Sequence, residues 1–203
     1  MRRRIPALFL ALALACKAKE SSAPPPPQPA TPTASTDSGT TATVAQSATA
    51  PEVSPAGDIP DTQAFVKYRN AAAGYELDVP EGWARTENGA NVDFVNKLDG
   101  VKVTVAPASA APTAASVRAN EARQIQGTIT NISEVTLSGG KAVLIKYTSS
   151  SQPNAVTNKQ VRLENEAYIF FKNGKTATLT LWAPQGADNV DQWQRMSKSF
   201  RWL

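Results

Sequence analysis

Between Lys17 and Gln63 the chain has no aromatic residue, yet it holds nine of the protein's 15 prolines. Every Trp and Tyr, and every Phe except Phe9, lies from Phe65 onward. A segment of Ala, Pro, Ser and Thr has little to bury, so ordering it costs backbone entropy without return. Only residues 64–203 therefore have the means to build a core. That length suits one domain. Residues 17–63 read instead as a disordered tether, stiff in polyproline II at Pro24–Pro27 and flexible elsewhere. As a coil it would span about 35–40 Å. The rival reading is a proline-rich ligand for a partner.

The opening stretch runs Arg2-Arg3-Arg4, then 11 mostly apolar residues from Ile5 to Ala15, then Cys16. A membrane-spanning helix needs roughly 20 apolar residues, so this run is too short to be one. A positive start, a short apolar middle and small residues at the end describe a secretory signal. Its ending, Ala13-Leu14-Ala15-Cys16, resembles the lipobox of bacterial lipoproteins. The resemblance implies that 1–15 is removed and that Cys16 becomes an acylated N-terminus, opening a lipid-anchored segment 16–63. Two or more acyl chains anchor stably where one does not. Lys17, rather than Asp, follows the cysteine, and by the sorting rule of such lipoproteins this implies the outer membrane, facing the periplasm. The rivals are ordinary secretion that leaves Cys16 a free thiol, and a retained signal anchor.

Two absences narrow the chemistry. The chain has no histidine, and Cys16 is its one cysteine. His bases, Cys–His pairs, His or Cys metal sites and an internal disulfide are all excluded. The net charge of +4 is spread out. Residues 64–203 carry 16 basic and 12 acidic groups with no dense basic run, which speaks against nucleic acid.

From Phe65 the pattern turns to strands. Tyr75, Leu77 and Val79 alternate with Glu76 and Asp78. Two strands around Val92–Phe94 and Val101–Val105 flank a turn at Leu98-Asp99-Gly100. A helix is expected over 112–127, capped by Thr113, with Ala115, Ala119 and Ala122 as a small-residue packing face. Four meander strands follow, in two hairpins turning at Ser138-Gly139-Gly140 and Asn173-Gly174. Asn-Gly between alternating runs is the strongest hairpin signal in the chain. A final helix, capped by Asp188, presents Val190, Trp193, Met196 and Phe200 as one stripe. The expected fold class is α+β, an antiparallel sheet covered by helices.

Several stretches resemble the PsbP-like family: "YRNAAAGYELDVPEGW", "LSGGKAVLIKYTS", "YIFFKNGKTATLTLWAP" and "WQRMSKSFRW". That family includes an extrinsic photosystem II protein, a Ran-binding relative and LpqN-type bacterial lipoproteins. The resemblance covers residues 65–203 and implies an antiparallel sheet sandwiched by helices. It also implies a binding or accessory role without enzymatic activity; no cofactor is expected.

No catalytic or metal residues stand out. Glu81, Glu87, Asp93 and Asp99 flank early turns but match no calcium-loop spacing. Glu164 and Glu166 share a strand face with Arg162 and read as a wet sheet surface. Trp83, Trp182, Trp193 and Trp202 read as core rather than as a ligand groove. The long hairpin connection "SSSQPNAVTN" is read either as a recognition loop, centred on Ser149, Ser150, Ser151, Gln152, Pro153 and Asn154, or as a mobile surface loop. The favoured function is a non-catalytic envelope lipoprotein presenting a binding domain to an envelope protein partner. The alternative is an envelope hydrolase using paired carboxylates, which need no histidine.

Overall fold

A computed structural model describes residues 56–203. The signal segment, Cys16 and the tether up to residue 55 lie outside the described residues.

The alternating runs form strands as expected, and the hairpins set their order. β1 (Phe65–Asn70) and β2 (Tyr75–Pro80) pair antiparallel. β3 (Ala84–Asn88), β4 (Asn91–Asn96) and β5 (Asp99–Pro107) form a meander. After helix α1 (Ala114–Ala119) come β6 (Thr128–Leu137), β7 (Gly140–Ser150), β8 (Arg162–Lys172) and β9 (Lys175–Pro184). Helix α2 (Val190–Ser199) and the short β10 (Arg201–Trp202) close the chain. Two antiparallel sheets result. One has the order β1-β2-β10, and the seven-stranded one runs β3-β4-β5-β9-β8-β7-β6. The class is α+β, as expected.

One face of the large sheet holds the main core. Leu144, Phe170, Leu179, Val103 and Phe94 meet Tyr75, Leu77 and Val79 of the small sheet and Met196 of α2. Phe200, just past α2, ties the layers together. Its ring stacks on Phe170 at 4.4 Å and on Tyr75 at 5.9 Å, and meets Trp202 edge-on. Offset stacks at such spacing add about 0.5–1.5 kcal/mol each beyond area burial. Among the described residues, the opposite face is covered at one end, where Val117 of α1 sits against Val143, Ile145, Ala167 and Ile169.

The Asn173-Gly174 hairpin is as read. Both residues have positive φ, 50° and 74°, which gives the twist that a two-residue connection between antiparallel strands requires. Elsewhere the structure departs from expectation. The β4–β5 turn is Lys97-Leu98, because Asp99 already pairs with Asn96. Gly100 is a strand residue, opposite Trp182. The Trp182 indole lies across it, and a Cβ there would fall 1.8 Å from Trp182 Cζ2.

Thr113 does cap α1, accepting from the Ser116 amide while Ser116 Oγ accepts from the Thr113 amide. The helix nevertheless stops at Ala119, and a 3-10 turn, Glu121–Gln124, replaces the remainder. One short helix cannot lay a whole alanine face on the sheet. Val117 is its one buried residue, and Ala115 and Ala119 are exposed.

In α2, Met196 is fully buried and Trp193 partly so, but Val190 is 60 % exposed. The N-cap position belongs to Asn189 rather than Asp188, and its side chain does not cap. Asn189 instead grips the chain ahead of β1. Its Oδ1 accepts from the Ile59 amide at 2.7 Å, and its Nδ2 donates to the Gly57 carbonyl at 2.8 Å. Ile59 is only 4 % exposed. The expected start of the domain at residue 64 therefore moves upstream. Residues 57–61 are a strap packed on the fold, because one buried isoleucine and paired backbone groups outweigh a proline-rich composition.

Candidate functional site

Strands β7 and β8 place Lys146 directly opposite Glu166. Lys146 Nζ lies 2.6 Å from Glu166 Oε1, and the Tyr168 hydroxyl donates to Glu166 Oε2 at 2.5 Å. Both carboxylate oxygens are thus engaged, and the Glu166 side chain is 15 % exposed. Burial, reinforced by Glu166, pushes the Tyr168 phenol well above its ordinary range, so it remains a donor.

Two residues earlier on the same strand face, Glu164 sits opposite Thr148. It makes no ion pair among the described residues. Arg162 donates to Thr148 Oγ1 at 3.2 Å instead. Helix α2 passes alongside and contributes Trp193, Gln194 and the exposed Val190. The result is a groove of about 340 Å³ between sheet and helix. It continues into a second hollow of about 290 Å³ that shares Lys146, Glu164, Glu166 and Trp193.

The expected wet sheet face is thus the floor of a groove, since α2 covers one side of it. The sequence reading placed Glu164 and Glu166 together but missed Lys146 and Trp193 as their neighbours. The available signal was hairpin register. Lys146 interrupts the inward positions Ala142 and Leu144, opposite the equivalent interruption at Glu166. Of the four tryptophans, Trp83, Trp193 and Trp202 pack partly against the main core. Trp182 lies on the other face of the sheet.

Ser149 and Ser150, expected in a loop, are the last residues of β7. Ser149 Oγ accepts from Asn165 Nδ2 at 3.0 Å. The connection itself runs from Ser151 to Val161 and is internally tied. Asn154 Oδ1 accepts from the Val156 and Thr157 amides, Ser151 Oγ accepts from the Val161 amide, and Gln160 donates to the Ser151 carbonyl. Gln152, Pro153 and Asn154 are exposed, and Val156 is 92 % exposed. Ser150, Ser151 and Gln152 border a hollow with Lys97, Leu98 and Trp182. The loop therefore opens onto the sheet face opposite the groove.

The four early carboxylates do not converge. Glu87 pairs with Arg85 at 3.5 Å, and Asp93 with Lys102 at 3.4 Å. Glu81 is exposed, and Asp99 is buried. No cluster of three or more Asp or Glu able to hold a metal occurs among the described residues. No helix among them is long and apolar enough to cross a membrane.

No known protein family matches the chain, and neither does any curated protein. Several solved structures are similar to it. A cyanobacterial PsbP from Synechocystis aligns at 18 % identity with a TM-score of 0.48, over 72 % of this chain and 98 % of that one. LpqN of Mycobacterium tuberculosis, described as involved in cell envelope biogenesis, aligns at 13 % identity and 0.39, over 70 % and 85 %. A Bacteroides thetaiotaomicron protein aligns at 10 % identity and 0.45, over 68 % of this chain. The chain spans about half of that protein's length, 48 %.

Proposed function

We propose that this chain is a non-catalytic cell-envelope lipoprotein, anchored through Cys16, that presents residues 57–203 as a binding or accessory domain to an envelope protein. The observation that supports binding over hydrolysis is the state of Glu166. Hydrolysis by paired carboxylates needs one group that exchanges a proton with the substrate and a second that reaches the substrate or an attacking water. Glu166 has one oxygen on Lys146 and the other on Tyr168, which leaves Glu164 alone. A half-buried indole beside an unpaired carboxylate, at the edge of a groove with an apolar rim at Val190, suits recognition instead. The tied loop at 151–161, with Val156 projecting, offers a second contact on the opposite face.

Photo-crosslinkers at position 193 and at position 156, introduced into the full chain in intact cells, test this. We expect one partner captured from position 193 and less capture when Glu164→Gln is added. Cys16→Ser should release the protein from membranes or stall its processing. Hydrolysis of an envelope substrate by the purified protein, abolished by Glu164→Gln, would refute the non-catalytic reading. Maturation and membrane fractionation of Cys16→Ser would refute the anchor.

A further inference from the structure

Asp99 is the least expected carboxylate in the fold. It opens β5, is only 5 % exposed, and its Oδ1 has no hydrogen-bond partner among the described residues. The strap closes over it. Gly57, at φ 95°, comes so near that a Cβ there would lie 3.1 Å from Asp99 Oδ1 and 2.4 Å from Pro184 Cδ. Asp58 follows at once and brings a second carboxylate towards the first, with Lys97 of the β4–β5 turn as the nearby opposing charge. Four hydrogen bonds hold this strap to the fold. Besides the two from Asn189, Asp58 Oδ1 accepts from the Asp188 amide and Asp61 Oδ1 from Gln192 Nε2. The strap is therefore fastened on one side and on the other sits on a buried acid whose Oδ1 lacks a hydrogen bond.

We propose that residues 57–61 and Asp99 form a proton-operated latch, fastened when the Asp99 carboxyl carries a proton and loosened when it gives that proton up to solvent. A neutral carboxyl tolerates burial and does not repel Asp58. A bare carboxylate there has lost water at Oδ1 without gaining a hydrogen bond, and the Lys97 charge compensates in part. Burial first, and Asp58 second, push Asp99 from 3.8 up to about 6, with Lys97 opposing. The sign follows from linkage. The closed strap binds the proton more tightly than the open one, so the latch's advantage is complete below about pH 4. It shrinks as the pH rises and is gone above about pH 6. Asn189, gripped by the strap, also lines the groove beside α2, so an open latch frees that wall. This consequence depends on the groove being the binding site; the latch itself does not.

The test is hydrogen exchange at the Ile59 amide in the full chain, expressed as protection relative to the intrinsic rate at each pH. Between pH 5 and pH 7.5 the protection should fall about tenfold if opening returns Asp99 to its ordinary range. Asp99→Asn, which cannot ionise, should remove that dependence. Asp58→Asn keeps an oxygen for the Asp188 amide but removes the repulsion, so its fall should be smaller and should centre at lower pH. This second variant decides the matter if Asp99→Asn does not fold. Protection of the wild-type protein that is independent of pH overturns the latch, as does an unchanged pH response in either variant. Recovery of protection at pH 7.5 on adding 2 mM calcium chloride also overturns it, because Asp99 Oδ1 is then a cation ligand.

Discussion

Replacing Ile59 with alanine asks whether the strap belongs to the cooperative fold. Ile59 is 4 % exposed and joins the main core cluster. The change removes three buried carbons, worth about 2.4 kcal/mol at ~0.8 kcal/mol each. A residual cavity raises the cost to about 3 kcal/mol, within the range seen for isoleucine truncation. The strap also carries four hydrogen bonds to the 188–192 segment, each worth about 1 kcal/mol net. Its attachment is thus strong enough for the loss to be felt globally rather than through fraying alone. For a domain near 150 residues, 3 kcal/mol corresponds to a fall in Tm of about 6–12 °C. Thermal melting at pH 5, where the latch is closed, measures it. Limited proteolysis in parallel should leave a wild-type core that begins near residue 56, and an Ile59→Ala core that begins closer to residue 64. A Tm within about 2 °C of wild type, with the same cut site in both proteins, would refute the strap as part of the domain.

Gly100→Ala places a methyl group into the Trp182 indole and should cost about 1–3 kcal/mol, with a changed Trp fluorescence spectrum on the folded protein; an unchanged spectrum and Tm would contradict the cross-strand contact. Thr113→Ala removes the capping box of α1 and should cost about 1 kcal/mol, or about 2–4 °C, read by differential scanning calorimetry; no loss would mean that the box is idle.

Much of the fold was legible because its signals are local. Alternation in "YELDV", the Asn173-Gly174 turn and the Thr113 cap each depend on a few neighbouring residues, and all three stand as read. β1 and β3 were not legible. β3, "ARTEN", is exposed at every position, so no apolar alternation marks it; it exists because β4 offers it a hydrogen-bonding edge. The groove was half legible. Glu164 and Glu166 share a face by period alone, but Lys146 joins them only through register, and Trp193 only because α2 packs beside β8.

What the sequence by itself determined is which strands turn back on which, and which chemistries are barred by the lack of histidine and of any cysteine beyond Cys16. Composition and turn residues act over a few positions, so they can be read without the fold. Tertiary structure alone decided that residues 57–61 leave the proline-rich segment for the domain, and that Asp99 is buried beneath them. It also decided that a lysine and a tyrosine take both oxygens of Glu166. These outcomes join residues as much as 132 positions apart, between Gly57 and Asn189. At such separations burial and pairing depend on what the folded chain brings alongside, and a local pattern carries no trace of it.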